Sequence, residues 1–163
     1  MSENTGEENS PSAGPESSAG TEKYLVFTIQ ERRYALPAKL IGEAAALEKV
    51  FPLPLVPPYV RGIINRYSIP YALIDIGFLL LKTFSAAAKL IVLKEKVDRL
   101  AFLIDDVTDI ADIPPESLLQ VEQEDSQELP SGLIAASFEW KGNHVFCLAL
   151  DELVNQIKKD FEG

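Results

Sequence analysis

Residues 57–75, PPYVRGIINRYSIPYALID, constrain the fold of this chain more than any other stretch. Two prolines open it. Apolar runs at 60–64 and 69–74 then flank the polar turn Asn65-Arg66-Tyr67-Ser68, and an aspartate closes the second run. Short runs rich in β-branched and aromatic residues, separated by turn formers, are the pattern of paired antiparallel strands. Asp75 stands directly before the apolar segment 76–81, where its carboxylate can accept the free N–H groups of a first helical turn.

The same pattern recurs along the chain. YLVFTIQ at 24–30 reads as a strand, Glu31-Arg32-Arg33 as a turn, and Tyr34-Ala35-Leu36 as the returning strand. Residues 37–49 hold helix-favouring alanines and leucines around Gly42, so one helical turn near 37–41 followed by a strand is expected. Prolines 52, 54, 57 and 58 exclude helix and central strand from 52 to 58. Further hairpins are expected at 89–104, around a charged turn, and at 133–150, around Lys141-Gly142-Asn143. A strand at 106–113 ends at Pro114-Pro115. Asp151 is placed to cap a terminal amphipathic helix with Leu153, Val154 and Ile157 on one face. Many short strands joined by Gly, Pro and Asx turns predict an all-β sandwich or barrel.

Residues 1–22 hold no aromatic residue and no aliphatic one beyond Ala and Met1, so a disordered acidic tail is expected there. The ordered domain is expected over 23–157, with a flexible end at 158–163. Residues 122–130 carry four carboxylates and no basic residue, and read as a solvated loop. The net charge of -10 argues against nucleic-acid binding, which needs a concentrated basic face. One cysteine cannot form an intrachain disulfide. The N-terminus lacks the pattern of a secretory signal, and no apolar run is long enough to span a bilayer. A cytoplasmic protein without direct membrane insertion is expected.

Catalysis and metal binding find little support. His144 and Cys147 lie three apart in a predicted strand and so point to opposite faces, which precludes a thiolate–imidazole pair. The acidic run Asp105, Asp106, Asp109 and Asp112 lacks the central glycine and closing glutamate of a calcium loop. No cofactor, metal or catalytic residue is expected. Tyr59, Val60, Ile63, Ile64, Ile69 and Tyr71 supply more apolar material than one strand face needs. This fits either a strand buried on both sides or a binding surface rimmed by Arg61, Arg66 and Tyr67.

From about residue 24 to 154 the chain resembles the chemotaxis coupling protein family, the CheW-like domains. YLVFTIQERRYALP looks like the family's first hairpin, and Ile41 and Glu43 fall on its V-x-E element. Residues 60–75 match its central signature, LIDDVTDI at 103–110 its aliphatic-Asp strand, and HVFCLALDELV at 144–154 its closing strand and helix. The resemblance implies two small five-stranded SH3-like barrels packed around a shared apolar interface, with short helices including one at the C-terminus. It implies a non-enzymatic adaptor between the regulatory domain of a CheA-type histidine kinase and the cytoplasmic tips of chemoreceptors. Ile41, Gly62 and Val60 would then face the kinase. Glu43, Arg66 and Tyr67 would lie at or beside the receptor contact, and the groove between the barrels would receive the receptor hairpin.

Four positions depart from the family pattern. Tyr67 and Ser68 stand where its turn has Arg-Gly, Ala72 where it has Pro, and Ala149 where it commonly has Asp. Since Tyr67 cannot supply the charge that pairs with the carboxylate at Glu43, Arg66 or Arg61 is expected to replace it. These departures suggest a divergent member, and an adaptor of a related pilus or motility kinase array is one alternative. A small-ligand-binding β-barrel using the inter-barrel cleft is the alternative from another class.

Overall fold

Three two-residue turns set the strand register. In a computed structural model describing residues 20–120 and 132–162, Gln30-Glu31 joins β1 (Glu22–Ile29) to β2 (Arg32–Pro37). Tyr67-Ser68 joins β4 (Val60–Arg66) to β5 (Ile69–Ile74), and Lys141-Gly142 joins β10 (Ile134–Trp140) to β11 (Asn143–Leu148). All six turn residues have φ between 51° and 79°, the left-handed geometry that matches the twist of the flanking strands. Each turn is tighter than the sequence indicated. Arg32, Arg66 and Asn143, expected in turns, are the terminal residues of strands.

A 3-10 turn at Ala38–Leu40 leads into β3 (Ile41–Ala46), in the order expected. The remaining strands are β6 (Lys89–Leu93), β7 (Leu100–Ile104), β8 (Asp106–Ile113) and the short β9 (Leu119–Gln120). They form two sheets. One runs β8-β1-β2-β11-β10-β9 and the other β3-β6-β7-β5-β4, so the two ends of the chain share a sheet and the central segment builds the other. The first has six strands where five were expected, and in neither do the two edge strands pair with each other. Within each sheet one parallel pair, β2–β11 or β5–β7, joins hairpin to hairpin.

Three apolar layers hold this together. Val26, Phe138, Val145 and Cys147 lie in the core of the first sheet, and Ile64, Leu73, Leu90 and Leu103 in that of the second. The largest cluster, which includes Phe27, Tyr34, Ile91 and Phe102, lies between them. Both helices seal it: α1 (Ile76–Leu81) with Ile76 and Leu80, α2 (Leu150–Glu162) with Leu153 and Ile157.

Asp75 caps α1 as expected, accepting from the Phe78 N–H at 3.1 Å. Asp151, expected as the cap of the terminal helix, instead lies inside its first turn, since α2 already starts at Leu150. The helix also continues to Glu162, past residue 157 where the sequence placed the end of the domain. Of the acidic tail expected over 1–22, residues 1–19 fall outside the described residues, as does the loop at 122–130, and Glu22 already belongs to β1.

Candidate functional site

The six candidate residues sit on the two edges of the five-stranded sheet. Ile41 and Glu43 are on β3, Val60, Gly62 and Arg66 on β4, and Tyr67 on the following turn. A register shift interrupts both edges at this level, between Ile41 and Glu43 and between Val60 and Gly62. Such bulges bend a strand and re-aim its side chains.

Arg66 brings the edges together. Its Nη2 donates to Glu43 Oε2, and its Nη1 lies 3.6 Å from Glu48 Oε1. The side chains of Arg66 and Glu43 are only 17% and 28% exposed, so the pair is partly screened from water. The hydrogen bond with Glu43 raises the guanidinium pKa further. The exposed Tyr67 ring packs on the same guanidinium, 5.4 Å from centroid to Cζ. Of the two arginines the sequence offered as partner for Glu43, Arg66 takes the place.

Arg61 turns instead to Asp75, with Nη1 3.5 Å from Oδ2. Asp75 is wholly buried, and the same Oδ2 accepts from the Ser85 N–H at 2.9 Å. The carboxylate therefore ties α1, the segment after it and β4 to one point.

Val60 is 6% exposed and belongs to the shared core, so it supports this region from beneath. Ile41 is half-buried. Gly62 is covered by main chain: Phe51 pairs with Ile63, exchanging two backbone hydrogen bonds of 2.8 Å, and its carbonyl crosses directly over Gly62. A Cβ on Gly62 would lie 2.3 Å from that oxygen, and φ is +142°. Only glycine fits there.

Two concave surfaces flank the sheet. One, of about 270 Å³, lies where β3 and β6 face β8 of the other sheet and is walled by Ala44, Ala45, Ala46, Leu90, Ile104 and Val107. Lys89 and Asp106 pair at 2.8 Å between the two sheets beside it. The other, of about 580 Å³, lies between the proline segment and α2, with Leu55, Phe78 and Phe161 among its walls. At its base the Tyr59 hydroxyl donates to Asp160 at 2.5 Å. This bond lowers the Asp160 pKa, while burial, and after it the bond, raises that of Tyr59.

The residues considered for chemistry are occupied otherwise. His144 is exposed and pairs with Glu139 at 2.5 Å, while Cys147 is buried on the opposite face. Asp106, Asp109 and Asp112 each pair with a lysine: Lys89, Lys141 and Lys23.

Sequence reading missed two features. The alternation Phe51-Pro-Leu53-Pro-Leu55 puts an apolar side chain at every second position of a proline-stiffened strip, and that signal was present in the sequence. The Tyr59–Asp160 contact joins residues 101 positions apart, and no local pattern announces it.

Comparison with known proteins places the chain. The family model described as CheW-like domain matches residues 23–158. Among solved structures, the crystal structure of scaffolding protein TtCheW from Thermoanaerobacter tengcongensis superposes with a TM-score of 0.72. It covers 80% of this chain and 85% of that one at 16% identity, a likeness of fold. No curated protein matches the sequence.

Proposed function

This chain belongs to the CheW-like domain family, and on that premise we propose that it is a non-enzymatic adaptor of chemotaxis signalling. It couples a CheA-type histidine kinase, through the kinase's regulatory domain, to the cytoplasmic tips of chemoreceptors. The observation that carries this reading is that the fold offers two hollows with no lining residue in common, the alanine-walled groove between the sheets and the cleft between the proline segment and α2. An adaptor needs two faces that can be filled together, and their contacts must differ between the signalling states. The alanine-walled groove between the sheets, with Glu43, Arg66 and Tyr67 at the neighbouring edge, is assigned to the receptor hairpin. Small side chains let a helical hairpin approach the backbone closely. Ile41 and the β4 edge at Gly62, supported by Val60, are assigned to the kinase. The protein acts in the cytoplasm, and no described helix is long and apolar enough to cross a membrane.

The 580 Å³ cleft has the size of a small-ligand site. Its two groups with shifted ionisation, Tyr59 and Asp160, bond to each other, so they are not free to orient a ligand. Calorimetric titration with a kinase regulatory domain and, separately, a receptor-tip fragment from the same organism tests the adaptor reading. Saturable binding of each supports it; heat from neither contradicts it.

A further inference from the structure

We propose that Asp105 is a positioning residue that sets the spacing of the groove between the two sheets. The proposal rests on the adaptor reading above, which assigns that groove to the receptor hairpin, and names the group that fixes its width. Among the described elements the chain passes between the sheets twice, through the 3-10 turn at Ala38–Leu40 and through Asp105. The second passage is one residue long, since β7 ends at Ile104 and β8 begins at Asp106. Ile104 and Asp106 both wall the groove. Asp105, between them, turns its carboxylate away from it, toward the β1–β2 hairpin.

Two hydrogen bonds tie the crossover to that hairpin. The Asp105 N–H donates to the Thr28 carbonyl at 2.8 Å, and its Oδ2 accepts from the Gln30 N–H at 2.6 Å. A bond from an amide to a carboxylate belongs to the stronger class. Gln30 is held in its own right, because its Nε2 donates to the Thr83 carbonyl at 2.9 Å, on the segment that follows α1. Asp105 thus joins the crossover to the six-stranded sheet, and Gln30 joins that sheet back to the segment leading into β6. A one-residue crossover turns on two soft dihedrals, so two outside bonds fix the angle at which β8 leaves β7.

That angle sets the distance between the groove walls. Residues 44–46 on β3 and Leu90 on β6 form one side, and Val107 on β8 the other. β8 bends once more beside Val107: its register against β1 shifts between Val26 and Phe27, and Thr108 Oγ1 donates to the Val26 carbonyl at 3.3 Å. The Lys89–Asp106 pair also spans the two sheets, but both side chains are more than half exposed, so it holds the spacing weakly. Asp105 is half-buried and bonds to a main-chain donor, which no change of side-chain rotamer removes. A groove that keeps its competent width only about a tenth of the time binds about 10-fold more weakly.

The test compares wild type with Asp105→Ala, Asp105→Asn and Gln30→Gly. Asparagine keeps an acceptor oxygen for the Gln30 N–H and alanine does not. Glycine at 30 suits the left-handed turn while removing the tie to Thr83. Binding is measured to the receptor-tip fragment and to the kinase regulatory domain, with circular dichroism and thermal melting as fold controls, and amide shifts of the free proteins are recorded. Asp105→Ala is expected to bind the receptor fragment about 10-fold more weakly, keep its kinase affinity, and shift the amides of 44–46 and Leu90 across the groove. Asp105→Asn is expected to stay within about 3-fold of wild type, with Gln30→Gly between the two. If Asp105→Ala does not fold, Gln30→Gly is read in its place. Unchanged receptor affinity in the folded variant, equal loss toward both fragments, or asparagine as weak as alanine would overturn the positioning role and leave the adaptor reading standing. Absence of receptor binding by wild type would overturn the adaptor reading. The amide shifts then decide the positioning role, and shifts confined to 28–30 and 104–108 would overturn it as well.

Discussion

Arg66 and Glu43 join the two edge strands of the five-stranded sheet, which backbone pairing leaves apart. A charge-assisted hydrogen bond in a partly screened setting contributes about 1–2 kcal/mol. Arg66→Ala is expected to lower stability by about that amount. A double-mutant cycle with Glu43→Ala should return a coupling of about 1 kcal/mol. Chemical denaturation of the four proteins measures it, and strict additivity would show that the clasp carries no energy.

Asp75 is a stronger case. It is wholly buried and receives the Phe78 and Ser85 amides as well as Arg61. Asp75→Ala removes a helix cap and leaves a buried amide without its acceptor, a loss of about 3 kcal/mol. For a domain of this size that lowers Tm by about 6–12 °C. Calorimetry checks it, and a shift below about 2 °C would refute the role given to this carboxylate.

Much of this was legible in the sequence because it depends on local chemistry. The Asp75 cap, the 3-10 turn after Pro37, and strands 69–74 and 89–93 follow from propensity, proline geometry and capping. The turns came out too long because polar Arg66 and Arg32 read as turn residues, whereas their side chains sit on strand ends that backbone pairing extends. The parallel β2–β11 and β5–β7 pairs join distant segments, and strand patterns carry no signal for them. At the site, the family resemblance implied an arginine partner for Glu43 and left Arg66 and Arg61 open; Arg66 takes that place. The covered position of Gly62 was not legible, because it depends on where the proline segment runs.

At acid pH the link between Tyr59 and Asp160 should be visible. Hydrogen bonds from Tyr59 and Gln156 hold the Asp160 pKa below its ordinary value. A depressed folded-state pKa gives stability that is present above the unfolded value, about 3.9, and is lost as pH falls through the folded one. Tyr59→Phe should therefore lower stability at pH 7 and flatten the decline below about pH 4. Urea midpoints from pH 2 to 7 test this; parallel profiles for the two proteins would contradict it.

At alkaline pH burial acts in the other direction. It pushes both the Cys147 thiol and the Tyr34 phenol up to about 12. Raised folded-state values mean that stability is intact below the unfolded ones and falls as pH climbs toward the folded ones. Decline should begin near pH 8.5–9 with Cys147 and steepen from about pH 10 with Tyr34. The Tyr34 hydroxyl is buried with no partner among the described residues. Tyr34→Phe should therefore raise stability at neutral pH by about 1 kcal/mol and make the limb above about pH 10 shallower, leaving the share that the raised Tyr59 contributes. Destabilisation at neutral pH would show that the hydroxyl is satisfied.

The adaptor account is tested most directly by amide NMR shifts of the labelled protein during separate titrations with a kinase regulatory domain and a receptor-tip fragment. It predicts two distinct footprints. The kinase domain should perturb residues around Ile41, Gly62 and 51–55. The receptor fragment should perturb 43–46, Arg66, Tyr67 and the facing residues of β8. One footprint common to both fragments, or no shifts from either in a folded sample, would contradict it.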